Sequence, residues 1–136
     1  MKKLAQQVAA QGADIRPVNE DEIITAEQTL GIQFSPEYKA YLSEFGLIAF
    51  GATEISGLGV PAMSHLNILS AIEPLREGKD YPPQAVPLCD IGDGYYYLYD
   101  NKQRKILTWS MINGVVDTSD EDLEAFLLRI VFDVES

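Results

Sequence analysis

The sequence predicts an α+β fold: an antiparallel β-sheet meander with N-terminal helices and a C-terminal helix packed on it. Three observations carry this expectation. Apolar residues recur at helical spacing as far as Phe45, in segments that stop at glycine. From Leu47 the pattern changes to short apolar stretches broken by glycine, asparagine and aspartate. A wide apolar stripe then returns between Leu123 and Val131.

Taken in order, Leu4, Ala5, Val8 and Ala9 mark a short amphipathic helix ended by Gly12 in the left-handed region. Its apolar face is thin, so residues 1–18 are expected as a loosely docked helix and link. Asp14 to Val18 runs extended, because the residue before Pro17 avoids helix. Asn19, with Glu22 three residues on, fits a capping box for a helix carrying Ile23, Ala26 and Leu30 and ending at Gly31. Ser35-Pro36-Glu37 supplies a capping hydroxyl, a proline at the first helical position and an acid in the first turn. Tyr38, Tyr41, Leu42 and Phe45 follow at i, i+3, i+4 and i+7, a core-facing aromatic stripe closed by Gly46.

Strands are predicted over Leu47–Phe50, Thr53–Ile55, Leu58–Val60 and Leu66–Leu69. Ala71–Arg76 is a short helix that Pro74 limits to about two turns. Val86–Ile91 and Tyr95–Tyr99 form a hairpin, since Gly92-Asp93-Gly94 suits a tight turn with positive φ. Asp100-Asn101-Lys102 and Asn113-Gly114 turn the chain again around Lys105–Trp109 and into Val115-Val116. Thr118 with Glu121, or Ser119 with Asp122, caps the last helix, whose stripe is Leu123, Phe126, Leu127, Ile130 and Val131. The helices are expected against one face of the sheet.

A length of 136 residues with 46% hydrophobic and 23% charged residues fits one domain, 1–136, and excludes a disordered chain. No apolar run approaches the roughly 18 residues that crossing a bilayer requires. Gln6, Gln7 and Gln11 interrupt the segment after the basic Met1-Lys2-Lys3 start, so it does not read as a signal peptide and a cytoplasmic location is expected. The one cysteine, Cys89, between Leu88 and Ile91, reads as a buried strand residue in a reducing compartment. The one histidine, His65, lies in a segment of different character and is not expected to activate it.

Twenty-one acidic residues against 10 basic ones give a formal charge of −11, which opposes binding to nucleic-acid phosphates or anionic membranes and favours basic partners. A zinc set cannot be assembled from one His and one Cys. Asp90, Asp93 and Asp100 lack the spacing of a calcium loop, and Gly57-Leu58-Gly59 and Gly92-Asp93-Gly94 lack the third glycine of a phosphate-binding motif. No catalytic constellation emerges, so neither an enzyme nor a cofactor is expected. The most unusual segment is Gly94-Tyr95-Tyr96-Tyr97-Leu98-Tyr99-Asp100. On a strand it puts Tyr95, Tyr97 and Tyr99 on one face and Tyr96, Leu98 and Asp100 on the other. Such tyrosines either fill a half-buried sheet or join nearby carboxylates in a protein-binding surface. The second reading gives a candidate partner-binding set of Glu54, Asp93, Tyr95, Tyr97 and Asp100.

These residues together resemble the SUKH superfamily, also called the SMI1/KNR4-like domain. The resemblance rests on Glu27, Leu30-Gly31, Phe34-Ser35-Pro36, Glu37-Tyr38, Tyr41-Leu42 and Gly46, then Ile91-Gly92-Asp93-Gly94 with Leu98-Tyr99-Asp100, and last Phe126-Leu127. It spans roughly Asn19 to Phe132. The resemblance implies a non-enzymatic α+β domain, in bacteria commonly an immunity protein that neutralises a cognate toxin of a contact-dependent or polymorphic toxin system. The acidic charge suits a basic toxin, with nucleases the leading class. Fungal members of the family imply a rival role, a regulatory or scaffold module that binds cellular proteins. Oligomeric state is open at this level.

Overall fold

Four of the five helices among the described residues start where a side chain accepts a backbone N–H of the first turn. In the computed structural model, which describes residues 1–135, the order is α1 (Lys2–Gln11), β1 (Asp14–Ile15), α2 (Glu20–Leu30), α3 (Pro36–Glu44), β2 (Ile48–Phe50) and β3 (Thr53–Ile55). Then come α4 (Ile68–Leu75), β4 (Ala85–Gly92), β5 (Tyr95–Asp100), β6 (Lys105–Ser110), β7 (Gly114–Ser119) and α5 (Leu123–Phe132). Asn19 Oδ1 accepts the Glu22 N–H at 2.9 Å and Ser35 Oγ accepts the Tyr38 N–H at 3.1 Å, so both predicted caps form. The last helix is capped differently from either predicted pairing. Asp122 itself is the N-cap, its Oδ1 accepting the Ala125 N–H at 2.7 Å, while Ser119 holds the preceding turn through the Glu121 N–H.

The strands make two antiparallel sheets rather than one: β1-β2-β3 and β4-β5-β6-β7. A hydrogen bond from Ser56 N–H to Leu88 C=O, 2.8 Å, joins the end of β3 to β4. Two predicted strands do not form. Leu58–Val60 is irregular, and Leu66–Leu69 contains the start of α4, because Asn67 accepts the Leu69 N–H at 2.9 Å and caps a helix. Ile68, Ile72 and Leu75 then share one buried helical face, with Pro74 in the last turn, where its missing N–H costs one bond.

Tyr99, Ile106, Val86 and Leu88 face the main core with Phe126, Leu127 and the α3 aromatics. The opposite face of the four-stranded sheet is covered as well, contrary to the expectation of helices on one face only. Leu98, Leu107 and Trp109 pack there with Leu75 of α4, and Tyr81 meets Trp109 edge-on at 5.2 Å. An indole and two leucines form too large an apolar patch to leave wet, and Trp109 Nε1 donates to Lys79 C=O at 2.9 Å from the covering segment. The thin face of α1 also proves well seated: Leu4 is fully buried, and its N–H donates to Glu124 Oε2 on α5 at 3.1 Å.

Gly46 is where these layers cross. It adopts φ 72°, and a Cβ there would overlap the carbonyl oxygen of Arg16. Only glycine lets the chain leave α3 this close to the link before α2.

A bidentate pair holds α5 to the turn before it: Arg129 Nε donates to Glu121 Oε2 at 2.9 Å and Nη2 to Oε1 at 2.6 Å. Arg129 keeps the Glu121 carboxyl below the usual range. A depressed folded pKa stabilises above the unfolded value of about 4.3 and loses that contribution as pH falls through the folded value. Glu121→Gln is therefore expected to lower Tm at pH 7 by roughly 1–3 °C, a small effect because both side chains are partly exposed. Thermal melts near pH 2 should bring variant and parent together; a gap that stays the same there would contradict the assignment.

Candidate protein-binding surface

The β4–β5 hairpin is built from its turn. Gly92, Asp93 and Gly94 have φ of 88°, 56° and 79°, and the register pairs Gly92 with Tyr95. Positive φ at both central residues matches the right-handed twist of the strands. Asp90 Oδ1 accepts the Gly92 N–H at 2.9 Å and fixes the approach, which leaves Asp93 exposed at the tip.

From this tip β5 runs into the core, and its tyrosines change character along the way. Tyr99 is fully buried, stacked on Tyr38 at 5.8 Å, with its hydroxyl 2.7 Å from Ser35 Oγ. Burial pushes its pKa well up. Tyr97 is half-buried and meets Phe126 edge-on at 5.0 Å. Tyr95 is half-buried beside the turn. The row thus fills the core at Tyr99 and leaves Tyr95 and Tyr97 partly exposed.

Asp100 does not join this surface. It is 7% exposed at the far end of β5, about 17 Å from the tip for a strand of this length, and its Oδ1 accepts the Lys102 and Gln103 N–H groups at 2.8 and 3.1 Å. Its role is to hold the β5–β6 turn, as aspartate does in such turns. Glu54 is exposed on β3, away from Tyr95 and Tyr97, and lines a cleft of about 300 Å³ between β3, α4 and β4. The predicted set therefore divides into Glu54 in the cleft, Asp93 at the tip, and Tyr95 with Tyr97 on the α5 side.

Residues that sequence reasoning did not select complete the cleft: Asp90, Tyr96, His65 and Cys89. Asp90 pairs with Tyr96 across the hairpin, so the two share a face. That pairing depends on a register shift between Asp90 and Gly92; regular alternation from the turn would have set Ile91, not Asp90, opposite Tyr96. His65 is no more legible, because the irregular 56–67 segment is what brings its Nε2 to 3.3 Å from Glu54 Oε1. His65 and Cys89 do line one cleft, yet the thiol is ill suited to nucleophilic chemistry. Burial pushes its pKa up, and the negative charges of Asp90 and Glu54 push it further.

Packing also redistributes the acidic surplus. Asp122 and Glu124 are spent on helix N-termini, Glu37 Oε2 accepts the Leu123 N–H at 3.1 Å, and Glu121 is paired with Arg129. Asp90, Asp93 and Asp117 form no ion pair among the described residues. Asp14, Glu20, Asp21, Glu22, Glu73, Glu77 and Asp80 form none either, so uncompensated charge is spread over much of the surface and includes the hairpin. Among the described residues no group of three metal-ligating side chains converges, and no helix is long and apolar enough to cross a membrane.

Fold and surface together define an α+β domain that presents an acidic, tyrosine-bearing sheet end. The family model SUKH_5, described as SMI1-KNR4 cell-wall, matches residues 1–133, and the chain belongs to this family. The family is consistent with an immunity-protein role. A crystal structure of a protein from Pseudomonas syringae pv. tomato has the same fold, with a TM-score of 0.80 at 16% identity over 98% of this chain and 100% of that one. No curated protein matches the chain.

Charge around Cys89 is directly measurable. Alkylation by iodoacetamide should show a pH midpoint above that of a free cysteine, and Asp90→Asn should shift the midpoint down and speed the reaction near neutral pH. A midpoint unmoved by Asp90→Asn would contradict a negative potential in the cleft.

Proposed function

We propose that this chain is an immunity protein that binds and neutralises a cognate toxin of a bacterial contact-dependent or polymorphic toxin system. The toxin domain it meets is basic, with a nuclease the leading class, and the encounter takes place in the cytoplasm. The observation that carries this reading is the juxtaposition of the exposed, unpaired Asp90 and Asp93 with the half-buried Tyr95, Tyr96 and Tyr97 at the hairpin end of the four-stranded sheet. Tyrosine offers a large amphipathic contact at little entropic cost, and surface carboxylates attract and orient a basic protein. Membership of the SUKH family supports a binding role over a catalytic one, and the raised Cys89 thiol adds to this. The contact set comprises Asp93, Tyr95 and Tyr97, with Glu54 reaching the partner through the cleft.

Capture of the toxin encoded beside this chain, together with rescue of cells that express it, tests the proposal. Asp93→Lys should weaken capture by about tenfold or more, because it replaces attraction with repulsion at the tip, and Tyr95→Ala should weaken it further. Full-strength capture by the double variant would remove the hairpin from the interface. Binding of a neighbouring protein without rescue would favour the regulatory or scaffold role.

A further inference from the structure

We propose that the cleft between β3, α4 and β4 receives one arginine side chain of the partner, its guanidinium held between Glu54 and Asp90 and flanked by the Tyr96 ring. This rests on the reading of the chain as a binder of a basic protein and names the chemical group it recognises. The cleft volume of about 300 Å³ lies at the bottom of the range for ligand sites, roughly 300–1,000 Å³, which fits one long side chain better than a cofactor. Its lining combines two carboxylates with an aromatic ring and the apolar Leu66 and Leu75. That is the composition needed to cover an aliphatic stem and satisfy a charged head.

The two carboxylates come from different strands, β3 and β4, which the Ser56–Leu88 hydrogen bond holds side by side. Asp90 is pre-oriented by the Gly92 N–H and forms no ion pair among the described residues. Glu54 already faces a nitrogen base of its own chain, His65 Nε2 at 3.3 Å, so this position accepts an N–H donor. Both carboxylates act on the Cys89 thiol and Asp90 also acts on the Tyr96 hydroxyl, so their fields overlap inside the cleft. A planar guanidinium carries five donors in a fork and stacks on aromatic rings, so it can serve two separate acids beside Tyr96 at once. An ammonium is a compact point charge with no planar face to lay on the ring.

Titration of the ¹⁵N-labelled chain with N-acetyl-arginine methylamide, followed by amide shifts, tests this directly. Saturable shifts are expected at Glu54, Cys89 and Asp90, with no response to the neutral citrulline analogue and a weaker one to the lysine analogue. Glu54→Gln and Asp90→Asn should each weaken the arginine response about fivefold, the spectra also reporting that the variants stay folded. Absence of saturable shifts up to probe concentrations on the order of 10 mM, or equal shifts with citrulline or lysine, would overturn the assignment. The two proposals fail separately. Toxin capture that survives Glu54→Gln with Asp90→Asn removes the cleft and keeps the binder, whereas a cleft that takes arginine in a chain that captures no toxin removes only the immunity reading.

Discussion

The hydroxyl of Ser35 is the contact on which the arrangement of this molecule turns. It caps α3 through the Tyr38 N–H and meets the Tyr99 hydroxyl at 2.7 Å, while the Ser35 N–H donates to Asn101 Oδ1 at 2.9 Å. One residue therefore fastens the start of a helix to the inner end of β5 and to the turn beyond it. All of these groups are buried, and leaving any one unpaired would cost about 1–3 kcal/mol. With its inner end fixed, β5 can present its outer end rigidly. The change from Tyr99 in the core to Tyr95 near water follows from this anchoring, as does the projection of Asp93 at the tip.

The acidic composition takes on two separate jobs once the chain is folded. Carboxylates on α3 and α5 satisfy N–H groups at the starts of neighbouring helices, as Glu37 does for Leu123 and Glu124 for Leu4. These are internal uses, in line with the affinity of carboxylates for helix N-termini. Asp90, Asp93 and Asp117 have no such task and lie on exposed parts of the four-stranded sheet. A net charge counts both groups alike, so the composition overstates how much of the surplus is available to a partner.

Much of the fold was legible because its signals are local. Gly92-Asp93-Gly94 demands positive φ, Ser35-Pro36 starts a helix, and the alternation along β5 fixes which tyrosines share a face. What was missed depends on contacts between distant segments. Leu66-Asn67-Ile68-Leu69 is as apolar as a strand, and its helical start rests on the Asn67 cap. The second covered face of the sheet was hidden because nothing in Lys79 to Tyr81 announces that these residues fold over Trp109. Asp100 looked like one more surface acid, and its burial came from its position at the start of a turn. Around Glu54, His65 arrives through the irregular 56–67 segment and Asp90 through the approach of β4 to β3, and neither contact is local in the sequence.

The central claim is that charge complementarity at the hairpin end drives capture of a basic protein. The most direct measurement is the affinity for the toxin encoded beside this chain as ionic strength is raised from about 50 to 500 mM, where screening of exposed charges becomes nearly complete. The account predicts a Kd that weakens by about tenfold or more, mainly through slower association. A Kd and an association rate that stay constant across that range would contradict it.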